Sequence, residues 1–326
     1  MREALFLKQN VERWRSYEKP VDDPDIIAER FIALTDDLAY ARTFYPGSKT
    51  VRYINSLAAD IHLSIYRNRK EKRNRFVEFW VTELPLVMAR HRRQLLYAFL
   101  FFMVFVAIGA LSAAYDSDFL RLILGDRYVN MTLENIEKGD PFGVYKGDDP
   151  TFMFLRIALN NIYVSFVVFV FGAAFSVGTV YFLLRNGIML GSFEYFFFEQ
   201  GLGLKSILVV FIHGTLEISA IVIAGAAGLI LGNSIMFPGT YPRKYSMMRG
   251  AKDGIKIMMG LVPVFLVAAF FEGFLTRHTE MPLVLSVSIL LLSAAFILWY
   301  FVLYPQQLQN KTYGYDPSAP KGQGLW

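Results

Sequence analysis

The sequence predicts an all-α fold: a multi-pass helical membrane protein of about six membrane segments, one of them short or re-entrant, preceded by a small helical domain. Three observations carry this. Of 326 residues, 54% are hydrophobic and 30 are phenylalanine. Three stretches (Gln94 to Tyr115, Ile162 to Leu184 and Pro282 to Tyr304) hold no charged residue for longer than the roughly 18 residues that mark a spanning helix. The first 93 residues are instead charged and carry apolar residues at helical spacing. The opening MREALFLKQNVERWRSYEK has no apolar h-region, so no cleavable signal peptide is expected. The chain has no cysteine, which excludes disulfides, thiol catalysis and cysteine-ligated metal. Its net charge of +5 fits positive charge held on the cytoplasmic side of a membrane better than nucleic-acid binding.

Residues 1–93 are expected to form a cytoplasmic amphipathic helical domain. Ala4, Leu5, Leu7, Val11 and Trp14 repeat at helical spacing, and Pro20 with Asp22, Asp23 and Asp25 closes that helix and caps the next. The second helix runs through Ile26, Phe31, Leu34 and Leu38 to about Phe44 and ends at Tyr45-Pro46-Gly47. A third runs from about Lys49 through Ile54, Leu57, Ile61 and Ile65. It gives way to a basic run, Arg67, Arg69, Lys70, Lys72, Arg73 and Arg75, expected with Arg90, Arg92 and Arg93 to face anionic lipid, at about 1 kcal/mol per residue near the surface. The run lacks interleaved stacking aromatics, so no nucleic-acid partner is expected.

The membrane domain is expected over 94–304. The basic flank at Arg90 to Arg93 places the amino terminus in the cytoplasm, making this an inner-membrane protein. Residues 116–151 carry eight acidic and four basic residues and read as short helices and turns outside the membrane. A second crossing is expected from Arg156 to Leu184, with Arg185-Asn186-Gly187 as its C-cap. Ile188 to Leu204 would span only about 25 Å, so it reads as a short or re-entrant segment. Ser206–Leu231, Ile257–Leu275 and Leu283–Leu303 complete the crossings. The loop bearing Arg243, Lys244, Arg249, Lys252 and Lys256 is expected in the cytoplasm, and 305–326 as a polar tail.

The stretch HGTLEISAIVIAGAAGLILG, His213 to Gly232, holds the candidate site. At about 100° per residue, His213, Ala220, Ala224, Gly228 and Gly232 all fall within about 60° of Glu217. Polar pair and small residues therefore share one stripe, and Gly214 is counted with this packing seam. A small-xxx-small ladder lets another backbone approach closely, which drives helix association in lipid. A charged carboxylate here would cost at least about 2.5 kcal/mol, so Glu217 should face protein and be protonated, paired or wetted. Glu272 is a second embedded carboxylate, either paired with Arg277 or His278 near the interface or facing one cavity with Glu217. Three readings stay open: interhelical hydrogen bonding, a proton or ion path, and a metal or catalytic site, for which His-xxx-Glu supplies two of the three or four ligands zinc needs. HExxH, a P-loop and GxGxxG are absent, so no enzyme, cofactor or bound metal is expected.

The spacing of Asn160-Asn161, Gly172, Gly178, Asn186-Gly187 and Gly191, followed by the His213 block and EGFLT from Glu272, resembles the stage II sporulation protein M family. Asn160, Asn161, Asn186 and Gly187 are taken as helix-break and interface positions. FLKQNVERWRSYE, DLAYARTFYP and LAADIHLSIYR are similar to the cytoplasmic extension of the family's longer bacterial members. The chain departs from the family pattern at Ile212 and Arg277, where proline is common. The resemblance implies a bacterial or archaeal membrane protein without known catalytic activity. It also implies partners such as envelope proteins or AAA+ ATPase-associated proteins. The expected role is a non-enzymatic scaffold in a cell-envelope complex, self-associating as a homodimer or larger homo-oligomer. The alternative is a transporter, channel or lipid-moving protein using His213, Glu217 and Glu272.

Overall fold

The computed structural model describes residues 2–19, 21, 23–67, 74–146, 149–277 and 281–313. The chain divides into two compact units, Met1–Arg75 and Phe76–Trp326. Among the described residues there are helices and no strand.

The first unit holds α1 (Glu3–Tyr17), α2 (Pro24–Phe44) and α3 (Lys49–Arg67). Asp23 caps α2 by accepting from the Asp25 amide at 3.0 Å, with Pro24 opening the helix. The core is Phe6, Trp14, Leu34, Ala41, Ile54, Leu57, Ala58 and Ile61. On α1 the buried stripe is Phe6 and Trp14, whereas Leu5 and Leu7, expected inside, stand exposed. Positions 6 and 14, eight apart, share the inner face, and Trp14 anchors it through Nε1, which donates to Asp37 at 2.7 Å. Arg69, Lys70, Lys72 and Arg73 lie outside the described residues.

The second unit starts earlier than the sequence suggests. From Phe76 on, the α4 turn (Arg75–Glu78), a π-helical turn at Phe79–Glu83 and α5 (Leu84–Arg90) belong to it, and Leu84, Val87 and Met88 sit in its main core. Next come α6 (Arg92–Tyr115), α7 (Ser117–Leu124), α8 (Asp126–Glu137) and α9 (Pro150–Val170). α10 (Val177–Glu199), α11 (Gly203–Met236), α12 (Arg243–Phe270), α13 (Leu283–Leu298) and α14 (Tyr304–Tyr313) follow. Five helical stretches are long and apolar enough to cross a membrane: 92–115, 150–173, 203–236, 243–275 and 283–312. The chain is thus a multi-pass α-helical membrane protein.

α11 is the central helix and touches α6, α9, α10, α12 and α13. In its most apolar window 61% is buried, against 17% in α6 and 11% in the stretch beginning at α13. α10, carrying Arg185 and Glu194, is too polar to count among the five, yet it covers the same depth. Its start packs at Gly228 and Gly232, and Glu194 near its end accepts from Ser206 at 3.4 Å. α10 therefore runs antiparallel to α11 along that helix, not as a re-entrant hairpin.

Four expectations are corrected here. No crossing runs from Arg156 to Leu184: the chain breaks at Phe171–Ser176, where Phe175 and Ser176 adopt φ of 53° and 66° and the Ser176 amide bonds the Gly172 carbonyl at 2.9 Å. Asn186-Gly187 lies inside α10, where glycine serves close approach: a Cβ at Gly187 would meet Phe105 and the Phe102 carbonyl. A tertiary contact has overridden a local C-cap signal. The basic stretch from Arg243 is the first turns of α12, not a loop, and residues 305–313 of the expected tail are helical. There Tyr304 Oη donates to the Val81 carbonyl at 2.8 Å, and Tyr300 Oη to that of Trp80 at 2.7 Å. The π-turn of 79–83 leaves these carbonyls available to such donors.

Candidate functional site

The site forms where α9, α11 and the end of α12 meet. His213 and Glu217 are one turn apart on α11. Glu272 comes from a π-helical turn, Phe271–Leu275, that continues α12. The extra residue of such a turn re-aims the side chains after it, and here Glu272 and Thr276 both turn toward His213. The imidazole Nδ1 and Thr276 Oγ1 are 2.9 Å apart, and Thr276 Oγ1 donates to the Phe271 carbonyl at 3.2 Å. His213 Nε2 faces Glu272 Oε2 at 3.9 Å. One ligand atom from each of His213, Glu217 and Glu272 lies within 4.8 Å of the others, with His213 buried and the two glutamates partly accessible. Among the described residues this is a group able to hold a metal ion.

Asn161 on α9 lies against Glu217. It is 8% exposed, its Oδ1 accepts from Asn160 Nδ2 at 3.3 Å, and its amide is a side-chain partner of the Glu217 carboxylate. Arg156, one turn earlier on α9, acts electrostatically on Glu272. A cavity of about 200 Å³ lies beside the cluster, lined in part by Lys205, Val209, Ile212, Thr276, Leu283 and Ser286.

The structure separates the seam residues into two groups. Ala220 and Ala224 are fully buried. A Cβ at Gly228 would collide with Thr179 and the Val168 carbonyl, and one at Gly232 with Ser176 and the Gly172 carbonyl. The groove is filled by this chain's own α9–α10 connection. Gly214 differs: a Cβ there would meet only side chains of its own helix, at 3.7 Å or more. Asn160 and Asn161 fall within α9 and break nothing.

Among the basic residues, Arg75, Arg92 and Arg93 are exposed. Arg90 bonds Asp253 at 3.2 Å, and His91 Nε2 lies 2.9 Å from the same carboxylate. His278 lies outside the described residues. Sequence reasoning overlooked Asp253, Thr276 and Arg156. For Asp253 a signal existed: it is an acid flanked by Gly250 and Gly254 in an otherwise basic stretch of α12.

Fold and site together define an α-helical integral membrane protein with a polar cluster enclosed by its central helices. Residues 98–277 match the family described as Stage II sporulation protein M. The chain belongs to the stage II sporulation protein M family. Residues 4–67 match a Domain of unknown function (DUF8413). No curated protein and no solved structure matches the chain.

Proposed function

We propose that this protein is a non-enzymatic membrane scaffold of a cell-envelope complex, with its amino-terminal helices offered to a partner in the cytoplasm. The observation that carries this reading is the backbone-to-backbone packing around Gly172, Gly228 and Gly232. Alternating access requires an interface with two packings, and an interface without side chains between its backbones offers little to repack. A rigid membrane body joined to a helical unit with its own core suits a platform. The basic flank at Arg92 and Arg93 supports the inner membrane and a cytoplasmic amino terminus. Envelope or AAA+ ATPase-associated proteins are the partners proposed. Because the glycine groove is consumed within one chain, the proposed homodimer forms through other surfaces.

The test is purification of wild type and Ala224→Leu in detergent. Wild type should run as a monodisperse homo-oligomer and Ala224→Leu should fail to assemble. An unchanged oligomer and yield would remove the rigid-seam argument. The His213–Glu217–Glu272 cluster favours one alternative, movement of protons or ions. Glu217→Gln in proteoliposomes separates the two: loss of a pH-dependent flux with normal assembly selects transport, and absence of flux in wild type removes it.

A further inference from the structure

We propose that the cavity between α11 and α13 binds one anionic phospholipid, with a single acyl chain inside it and the phosphate at Lys205. Position and exposure set its shape. Lys205 and Leu283 lie in the first turns of α11 and α13, and both stand exposed, so they mark the mouth. Ile212 and Thr276, 2% and 1% exposed, form the floor. Lys205, Val209 and Ile212 follow one face of α11 at helical spacing, so the cavity descends about two turns, roughly 10 Å. Between mouth and floor the walls include Leu208, Val209 and Met281. At about 200 Å³ it is smaller than the roughly 300–1,000 Å³ that encloses a whole drug-sized ligand. It takes one narrow apolar piece, and in a bilayer the apolar piece at hand is an acyl chain. Left unfilled, apolar walls forfeit dispersion contacts on one side.

The mouth selects an anion. α11 starts without a side-chain cap and without an acidic residue in its first turn, so its own side chains do not compensate the first amides and the positive dipole end. Lys205 adds a cation where a helix by itself disfavours one, and it pairs with no carboxylate among the described residues. Its neighbour Ser206 turns instead to Glu194 on α10, at 3.4 Å. A phosphate at this place is favoured by the helix end and by the ammonium together. Ser286 is the independent sign of a ligand. It is 5% exposed and lines the cavity, and its hydroxyl makes no hydrogen bond among the described residues. Ser288 on the same helix returns its hydroxyl to the Val284 carbonyl at 2.6 Å. A buried hydroxyl left without a partner is costly, and an ester or phosphate oxygen of a lipid supplies the acceptor. Inorganic phosphate would satisfy Lys205 and leave the apolar walls empty, so the occupant is the lipid. The inference is independent of the scaffold reading, because a lipid held at this end of the bundle serves a static body or a moving one.

The experiment uses the full chain, reconstituted with equal amounts of phosphatidylglycerol and phosphatidylethanolamine carrying identical acyl chains. The protein is released into mild detergent and weighed with its bound lipid by native mass spectrometry. Wild type should retain one phosphatidylglycerol per chain in preference to phosphatidylethanolamine. Lys205→Gln should lower that preference about fivefold, the loss of one lysine at a lipid surface. Lys138→Gln, at an exposed lysine just past α8, should leave it unchanged. Ser286→Leu fills the cavity and should remove the retained lipid whatever its headgroup, and excess inorganic phosphate should not displace the lipid from wild type. No retained lipid, equal retention of the two lipids, or equal losses in Lys205→Gln and Lys138→Gln overturn the site. Lipid kept by Ser286→Leu overturns it as well, and displacement by inorganic phosphate reduces it to an anion site without an acyl chain, which also refutes the proposal. Should Ser286→Leu fail to fold, the comparison of the two lysine variants still decides.

Discussion

The two units of this chain bury helix faces with opposite kinds of residue. The amino-terminal unit is filled by Trp14, Phe6, Leu34 and Ile54, with Tyr40, Tyr45 and Tyr53 packed around them. The contact of α11 with the α9–α10 connection is instead made by Gly228 and Gly232 against Gly172, Thr179 and Ser176. In water, each large apolar side chain removed from solvent stabilises by about 1.5–3 kcal/mol, so bulk is favoured. In lipid that gain is missing between helices, and close van der Waals contact between backbones takes its place. The two contacts therefore follow different packing rules.

The largest expected effect comes from breaking the second rule. Gly228→Leu drives a side chain into Thr179 and the backbone of Val168 and should cost more than about 3 kcal/mol. The measurement is yield of monodisperse protein, and a normal yield would refute the comparison. Trp14→Ala breaks the first rule. It empties a fully buried position at about 3–5 kcal/mol and should unfold the amino-terminal unit while the membrane unit stays folded, read by limited proteolysis of the two units. A smaller contrast sharpens the picture within α11. Gly228→Ala should lower the thermal midpoint because its Cβ has no room. Gly214→Ala should leave the midpoint unchanged or raise it, since its Cβ meets only ordinary contacts and alanine gains up to about 1 kcal/mol of helix propensity. Equal midpoints for the two alanine variants would show that small residues on α11 are interchangeable. The weakest effect belongs to Glu217→Gln, which keeps the shape of a partly accessible side chain and should leave assembly intact.

Much of the fold was legible because hydrophobic length and helical spacing are local properties. The three amino-terminal helices, including the Asp23 cap, and the apolar character of α6, α11 and α13 follow from them. The break between α9 and α10 was not legible. Asn186-Gly187 carries the stronger local stop signal, whereas Phe175 and Ser176 take left-handed backbone only because Gly172 and Gly232 leave room for the turn. The site was half legible. The four-residue step from His213 to Glu217 places both on one face, but nothing local says that Glu272 meets them.

By itself the sequence determined that this is a helical membrane protein with a charged helical front, and that His213 and Glu217 share one face of an apolar helix. Tertiary structure decided which partner each face received. It set the glycine groove against the chain's own α9–α10 turn, brought Glu272 and Thr276 to His213 through a π-helical turn, and tied Arg90 and His91 to Asp253. The physical reason is that burial and helical period are written into neighbouring residues. The approach of two backbones, or of a carboxylate to an imidazole 59 positions away in the chain, depends on how whole helices cross.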